Sequence, residues 1–320
     1  MKDSAAAKVI VLHGAVIGVL FALNFVLPDY HHGVLARVMV LAVFAMGYNL
    51  LFGYCGLLSL GHAMFFAAGL YGAALSVTYF GWSIPSGFVA GLLAGAALAL
   101  VVGVLALRTT GVAFMIVTMM FSQAFYLSIL YFSRWTRGDE GLVLSQPVRS
   151  ISLGSFRLDL TDPSTRYLAA LALFSVVLAV TLAVVRSGYG RVLVAIRENE
   201  ERTKMLGYDT FANKLFAVVT SGAICAAAGA GYVLLFGYVG ATLASVQYSI
   251  LPLLWVLLGG AATAIGPLLG TLLMYYVVDI ASGYTSAYML FVGAALILLI
   301  LYFPKGVLGS VRDRWARWLP

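Results

Sequence analysis

Charge is scarce in this chain. Asp, Glu, Lys and Arg make up 10% of its 320 residues, where soluble domains carry about 25%, while 62% are hydrophobic and mean hydropathy is +1.01. A fold in water could not hide that much apolar surface, so the composition excludes a soluble protein and predicts an all-α polytopic membrane protein. Cysteine is nearly absent too: Cys55 and Cys225, both in apolar surroundings, exclude a disulfide framework and a Cys-based metal site. No Pro-rich, Ser-rich or charge-block linker divides the chain, so 1–320 reads as one transmembrane domain. Carboxylates deep inside apolar runs are missing; Asp279 is the one acid expected within a span, near its outer end, which leaves no obvious proton or ion relay. There is no Gly-x-x-x-x-Gly-Lys-Ser/Thr loop, so the chain is not its own P-loop ATPase, and neither His-Glu-x-x-His nor Gly-x-Ser-x-Gly occurs. The net charge of +7 does not point to nucleic acid, because the basic residues are spread over many loops and the aromatics are drawn into the spans.

What is present is a succession of apolar runs. The first, Val9 to Leu27 behind Lys2 and Lys8, is longer than a secretory signal core and lacks a small-x-small cleavage site, so it reads as an uncleaved span. Further runs near Val34–Phe52, Leu57–Phe80, Ser86–Leu107, Val112–Phe132, Tyr167–Val185 and Leu215–Phe236 each approach the roughly 20 residues a bilayer core needs. Leu251–Ala281 is too long for one straight span and too short for two full ones, with Gly259, Gly260, Gly266 and Pro267 breaking it near the centre. A last run covers Tyr288–Phe303. Counting about ten spans with both termini cytoplasmic puts Lys2, Lys8, Arg108, Arg186, Arg191, Arg197, Arg202, Lys204, Lys214, Lys305, Arg312, Arg314 and Arg317 inside, leaving six of the 19 basic residues outside. Residues 134–166 then form a periplasmic loop and 186–214 a cytoplasmic one. His31 and His32 are expected as an exposed pair in a short outer loop.

A short repeat runs through this pattern. Gly47–Gly56 reads GYNLLFGYCG and Gly231–Gly240 reads GYVLLFGYVG, eight identities in ten positions. The copies end the second and seventh spans, an odd offset that predicts an inverted internal repeat. Around the first copy, Gly53, Gly56, Gly61, Gly69 and Gly72 are dense enough to break a helix, which is tolerated at membrane depth only against protein or a wet cavity. Asn49, Ser59 and His62 therefore become candidates for the translocation path, with Thr118 and Gln123 of the fifth span, although hydroxyls there commonly bond their own helix. Gly87, Gly91, Gly95 and Gly103 form a stripe that reads as helix packing, as do Gly14 and Gly18. Arg191–Leu206 has the marks of one surface helix, with Val192, Ala195, Ile196, Asn199, Thr203 and Leu206 along one side. The pairs Glu198/Arg202 and Glu200/Lys204 are expected at i,i+4, and Gly207 supplies a stop.

Five ordered segments carry a resemblance. They are GYNLLFGYCGLLSLGHAMFFAAGLYGAAL (Gly47–Leu75), TRGDEGLV (Thr136–Val143), GRVLVAIRENEERTKMLGYD (Gly190–Asp209), LLGGAATAIGPLLG (Leu257–Gly270) and YFPKGVLG (Tyr302–Gly309). Together they resemble the M-type permease subunit of Liv branched-chain amino-acid ABC importers, over about residues 35–310. The resemblance implies a multi-pass protein of the bacterial inner membrane that works with an H-type permease subunit, two ATPase subunits and a periplasmic solute-binding protein, in contact with membrane lipid and not with nucleic acid. No cofactor is bound by this chain, ATP being used by the partner subunits. It implies that Arg191, Ile196, Arg197, Glu198, Glu200, Arg202, Leu206 and Gly207 lie in the segment received by the ATPases. Arg137, Asp139 and Glu140 are candidates for docking the binding protein; the family more often has two glycines where this chain has Arg137 and Gly138. The rival expectation is an ion-coupled secondary transporter or a channel for a small solute.

Overall fold

The structure, a computed structural model, describes residues 2–145, 149–153, 156–284, 287, 290, 293–294, 297, 301–302 and 305–314. Apolar runs become helices because a backbone in hydrocarbon must satisfy its polar groups internally. Among the described residues, seven helices are long and apolar enough to cross a membrane. They are α1 (Lys2–Val26), α2 (Asp29–Asn49) with its continuation, α3 (His62–Phe80), α4 (Ile84–Ala106), α5 (Val112–Tyr131), α7 (Pro163–Arg186) and α10 (Thr210–Phe236). Short helices α6 (Ser133–Thr136), α8 (Gly188–Glu198) and α9 (Glu200–Met205) lie in the two long connections. Asp162 closes the start of α7 by accepting from the Thr165 N–H at 2.8 Å, with Pro163 in the first turn.

The stretch 251–281 resolves into two helices packed on each other, α11 (Val246–Gly259) and α12 (Gly266–Tyr284). Helix α11 has 14 residues, roughly 21 Å at the helical rise, short of the ~30 Å hydrocarbon core. Helix α13 (Gly306–Arg314) follows, while the expected span Tyr288–Phe303 and the tail beyond Arg314 lie largely outside the described residues.

Small residues decide the core. Helix α2 is buried almost throughout, and α10 meshes with α3 and α4. A Cβ on Gly69 would overlap the Ala226 backbone, one on Gly229 the Phe66 carbonyl, one on Gly91 the Gly69 carbonyl and one on Gly95 the Ala226 methyl. The stripe on α4 is thus a packing surface. Among the described residues nothing lies within 4 Å of a Cβ built at Gly14 or Gly18, because α1 lies at the periphery and reaches the bundle mainly through α7. His31 and His32 correct another expectation, since both sit in α2; His31 meets the Tyr276 hydroxyl at 3.2 Å, and buried His32 packs 5.5 Å from the Tyr167 ring.

Among the described residues there are also two antiparallel strand pairs. Strand β1 (Leu142–Val143) pairs with β4 (Tyr238–Val239), Leu142 opposite Val239, and β2 (Ser150–Leu153) pairs with β3 (Phe156–Asp159).

Candidate functional site

The first repeat copy does not end α2 abruptly. Its last turn widens into a π-helix, Leu50–Tyr54, and the chain then runs without helix to Gly61, with Gly56 at φ +78°. Such a bulge loosens the regular ladder and exposes backbone groups that need partners. Asn49 supplies two: its Nδ2 donates to the Thr263 carbonyl at 2.9 Å, and its Oδ1 accepts from the Ala262 N–H at 2.9 Å. Asn49 thereby ties α2 to the turn between α11 and α12, where Ala262 has φ +56°. Gly53 is required beneath it, because a Cβ there would lie 2.6 Å from the Ala262 nitrogen.

At the far side of the break, His62 opens α3 inside a chain of hydroxyls. The Ser221 hydroxyl donates its one proton to the Gly47 carbonyl at 2.6 Å, so at 2.9 Å it accepts from His62 Nε2–H. The neutral ring then offers Nδ1 to the Ser59 hydroxyl at 3.1 Å, and Ser59 Oγ also accepts from the Gly61 N–H at 3.2 Å. Thr118 of α5 accepts from the Leu60 N–H at 3.3 Å, and Ser249 of α11 accepts from the Ala63 N–H at 2.9 Å. The break thus joins α2, α3, α5, α10 and α11 through neutral groups. Of the five residues singled out for the path, Asn49, Ser59, His62 and Thr118 come together here, buried; Gln123 is exposed on α5 and stands apart. Ser221 and Ser249 escaped the sequence reading because each lies in an ordinary apolar run, and Thr263 because the glycine break around it was read without naming a polar residue. Beside the break is a cavity of about 440 Å³, lined by Cys55–Leu58, Gly111, Phe114, Met115, Ile196, Arg197 and Glu200.

The 186–214 segment borders that cavity. In place of one helix over Arg191–Leu206 it forms α8 and α9, broken at Asn199, whose side chain turns back to accept from the Arg202 N–H at 2.9 Å. An Asn cap competes with helix continuation and here wins. The break separates Glu198 from Arg202, and among the described residues they form no ion pair; the Glu200/Lys204 pair does form, at 3.6 Å. The apolar side also divides. Ile196 is 5% exposed and faces this chain's own core, whereas Met205 and Leu206 are 85% and 70% exposed before Gly207 turns the chain at φ +87°. Arg191, Arg197, Glu198 and Arg202 are exposed, but Arg197 Nη1 reaches the Gly53 carbonyl of the first break. Glu200 anchors α9 to the base of α10 through Lys214 at 2.6 Å and Thr210 at 3.1 Å. Burial alone would raise the Glu200 carboxyl, yet Lys214, Thr210 and Lys204 hold it below the usual carboxylate range.

The second copy is finished differently and at the other end of the bundle. Helix α10 stops at Phe236, Gly237 takes φ +75°, and Arg149 from the 134–166 loop donates to the Leu234 and Leu235 carbonyls. A guanidinium at a helix C-terminus satisfies orphan carbonyls and opposes the dipole. In the same loop Arg137, Asp139 and Glu140 are exposed and border a cavity of about 470 Å³. Arg137 sits at φ +61°, a conformation that favours glycine, next to Gly138 at φ +50°.

Residues 30–301 match the family described as branched-chain amino acid transport system / permease component. The chain is 29% identical over 298 residues to the high-affinity branched-chain amino acid transport system permease protein LivM of Escherichia coli (strain K12), covering 86% of this chain and 69% of that protein. It is 28% identical to LivM of Salmonella typhimurium (strain LT2) over the same coverage. No solved structure gives a significant match.

Proposed function

The chain belongs to the family of branched-chain amino acid transport system permease components, and from that premise we propose that it carries branched-chain amino acids inward as one half of a permease pair. It is a multi-pass transmembrane permease subunit of an ABC importer of the bacterial inner membrane. In the proposed assembly the second half is an H-type permease subunit, two ATPase subunits sit beneath, and a periplasmic solute-binding protein docks above at Arg137, Asp139 and Glu140. The chain binds no cofactor, and the ATPase subunits use the ATP. Both termini and residues 186–214 face the cytoplasm, and residues 134–166 face the periplasm. An ion-coupled transporter or channel is the weaker reading, because the groups at the first break are Asn, Ser, His and Thr with no carboxylate among them.

One observation carries the coupling role: Met205 and Leu206 stand exposed at the end of a helix whose base is pinned by Glu200 to Lys214. Such a projection suits an apolar groove on an ATPase subunit. When the ATPases close on ATP they displace α8 and α9, and Arg197 passes that displacement to the Gly53 carbonyl. The break around Asn49, Ser59, His62 and Thr118 then rearranges beside the cavity and the pair exchanges inward-open and outward-open states. The double variant Met205→Asp, Leu206→Asp tests this, since an unpaired charge buried in an interface is costly. Insertion and pairing should survive, while uptake and substrate-stimulated ATP hydrolysis should both drop about tenfold or more. A purified double variant that keeps its ATPase subunits and hydrolyses ATP with normal stimulation defeats the assignment.

A further inference from the structure

At the end of the bundle that carries the 134–166 loop, α2, α7, α10 and α12 enclose a cavity of about 320 Å³ lined by Tyr30, Arg37, Arg166, Phe236, Tyr275 and Asp279. That is the low end of the range for small-molecule sites, about 300 to 1,000 Å³. Its charges are unusual. The Arg37 and Arg166 guanidinium carbons lie 5.1 and 5.9 Å from the centroid of the same Phe236 ring, so two cations share one aromatic face or edge. Among the described residues Arg37 donates one hydrogen bond, to the Tyr275 hydroxyl at 3.3 Å, although a guanidinium has five donors. Arg166 donates to the Leu160 and Thr161 carbonyls at 3.4 and 2.7 Å. Asp279 accepts from the Tyr30 hydroxyl at 2.9 Å. None of the three charges is in an ion pair among the described residues.

Like charges held together repel, and a visiting group of opposite sign relieves that repulsion. The cavity holds two cationic forks and one carboxylate, with apolar surface from Phe236 and Val34 between. A carboxylate fits the guanidinium pair in the fork geometry that arginine favours, and an ammonium fits Asp279. An anionic lipid headgroup without an amine would meet only the arginines and would be repelled by the acid. We propose that this cavity is a binding site, on the permease itself, for a free zwitterionic α-amino acid with a short branched apolar side chain. The choice of side chain rests on the transport function proposed above; the zwitterion requirement does not.

The test uses the permease pair with its ATPase subunits in phosphatidylcholine nanodiscs, without the binding protein, titrated calorimetrically with L-leucine, isovalerate and isoamylamine. Leucine should bind saturably, and isovalerate and isoamylamine, each lacking one charged end, about tenfold more weakly or worse. Arg166→Gln should weaken leucine and isovalerate and spare isoamylamine; Asp279→Asn should weaken leucine and isoamylamine and spare isovalerate. If either variant fails to assemble by gel filtration, Tyr30→Phe removes only the hydroxyl that orients Asp279 and should lower leucine affinity about threefold. A wild-type complex that imports leucine with its binding protein yet shows no saturable binding alone overturns the site and leaves the transport function standing. A complex that binds leucine here but imports no branched-chain amino acid overturns the transport function and keeps the site. Unchanged leucine affinity in both charge variants, or an anionic phospholipid that co-purifies, disappears in Arg166→Gln and is not displaced by leucine, also overturns it.

Discussion

The two repeat copies share eight residues in ten and fold apart. In the first, helical geometry persists through a π-turn to Tyr54 and the left-handed glycine is Gly56. In the second, α10 ends at Phe236 and the left-handed glycine is Gly237, which aligns with Gly53. The first helix therefore runs two aligned positions further, and its left-handed glycine comes three positions later. Two substitutions accompany this. Asn49 stands where the second copy has Val233, and its amide holds the α11–α12 turn, whereas Val233 is simply buried. Cys55 stands where the second copy has Val239, a β-branched residue that pairs as strand with Leu142. Both breaks also take an arginine onto late carbonyls, Arg197 from the 186–214 segment and Arg149 from the 134–166 loop. The shared residues specify that a helix will end; the neighbours decide where and how.

The largest effect should come from alanine at Gly53, with the aligned Gly237 as its comparison. Gly53→Ala forces a methyl to within 2.6 Å of the Ala262 backbone nitrogen, and should destabilise the purified complex by about 3 kcal/mol or more. Gly237→Ala meets the side-chain tip of Arg149 rather than backbone and strains a left-handed backbone, which costs about 1 to 2 kcal/mol. Equal losses in thermal melting would erase the distinction between the two breaks. Next comes Asn49→Val, which copies the second repeat into the first. It strands the Ala262 N–H and Thr263 carbonyl and should cost about 2 to 4 kcal/mol. Adding Val233→Asn should make matters worse; recovery in the double swap would mean that the copies are interchangeable.

Smaller effects sharpen the comparison by function. Arg197→Gln and Arg149→Gln should each lower stability by about 1 to 2 kcal/mol, but only Arg197→Gln should reduce substrate-stimulated ATP hydrolysis, the readout that separates the two. The smallest effect belongs to Glu200. Its folded-state acidity is enhanced, so its contribution is complete above its ordinary pKa of 4.5 and is lost as pH falls below that value through the folded pKa. Glu200→Gln should cost about 1 kcal/mol and should flatten the acid dependence of hydrogen exchange in α9; an unchanged acid dependence would reassign it to another carboxylate.

Long apolar runs made the seven long apolar helices among the described residues legible, and the glycines around residue 53 announced a break because few residues tolerate its backbone. The helix stop at Asn199 was hidden by good i,i+4 charge patterning that the Asn cap overrode. Ile196 looked outward on one continuous helix and turned inward once the helix divided. At 251–281 the glycines were visible, but the tight packing of α11 on α12 depends on Gly259, Gly266 and Gly270 meeting backbone to backbone, a tertiary fact. Arg149 and Ser221 act over sequence distances that no local pattern encodes.

The glycine contacts among α3, α4 and α10 also bear on how the molecule moves. Helices that touch through main chain have no side chains between them to change rotamer and absorb a shear, so one cannot slip past another without first pulling clear. These three helices therefore form a chassis that travels as a piece. The slack a transport cycle needs is then expected along the seams with α5 and with the α11–α12 pair, where the hydroxyls of Thr118 and Ser249 reach across to the backbone of α3 and its approach.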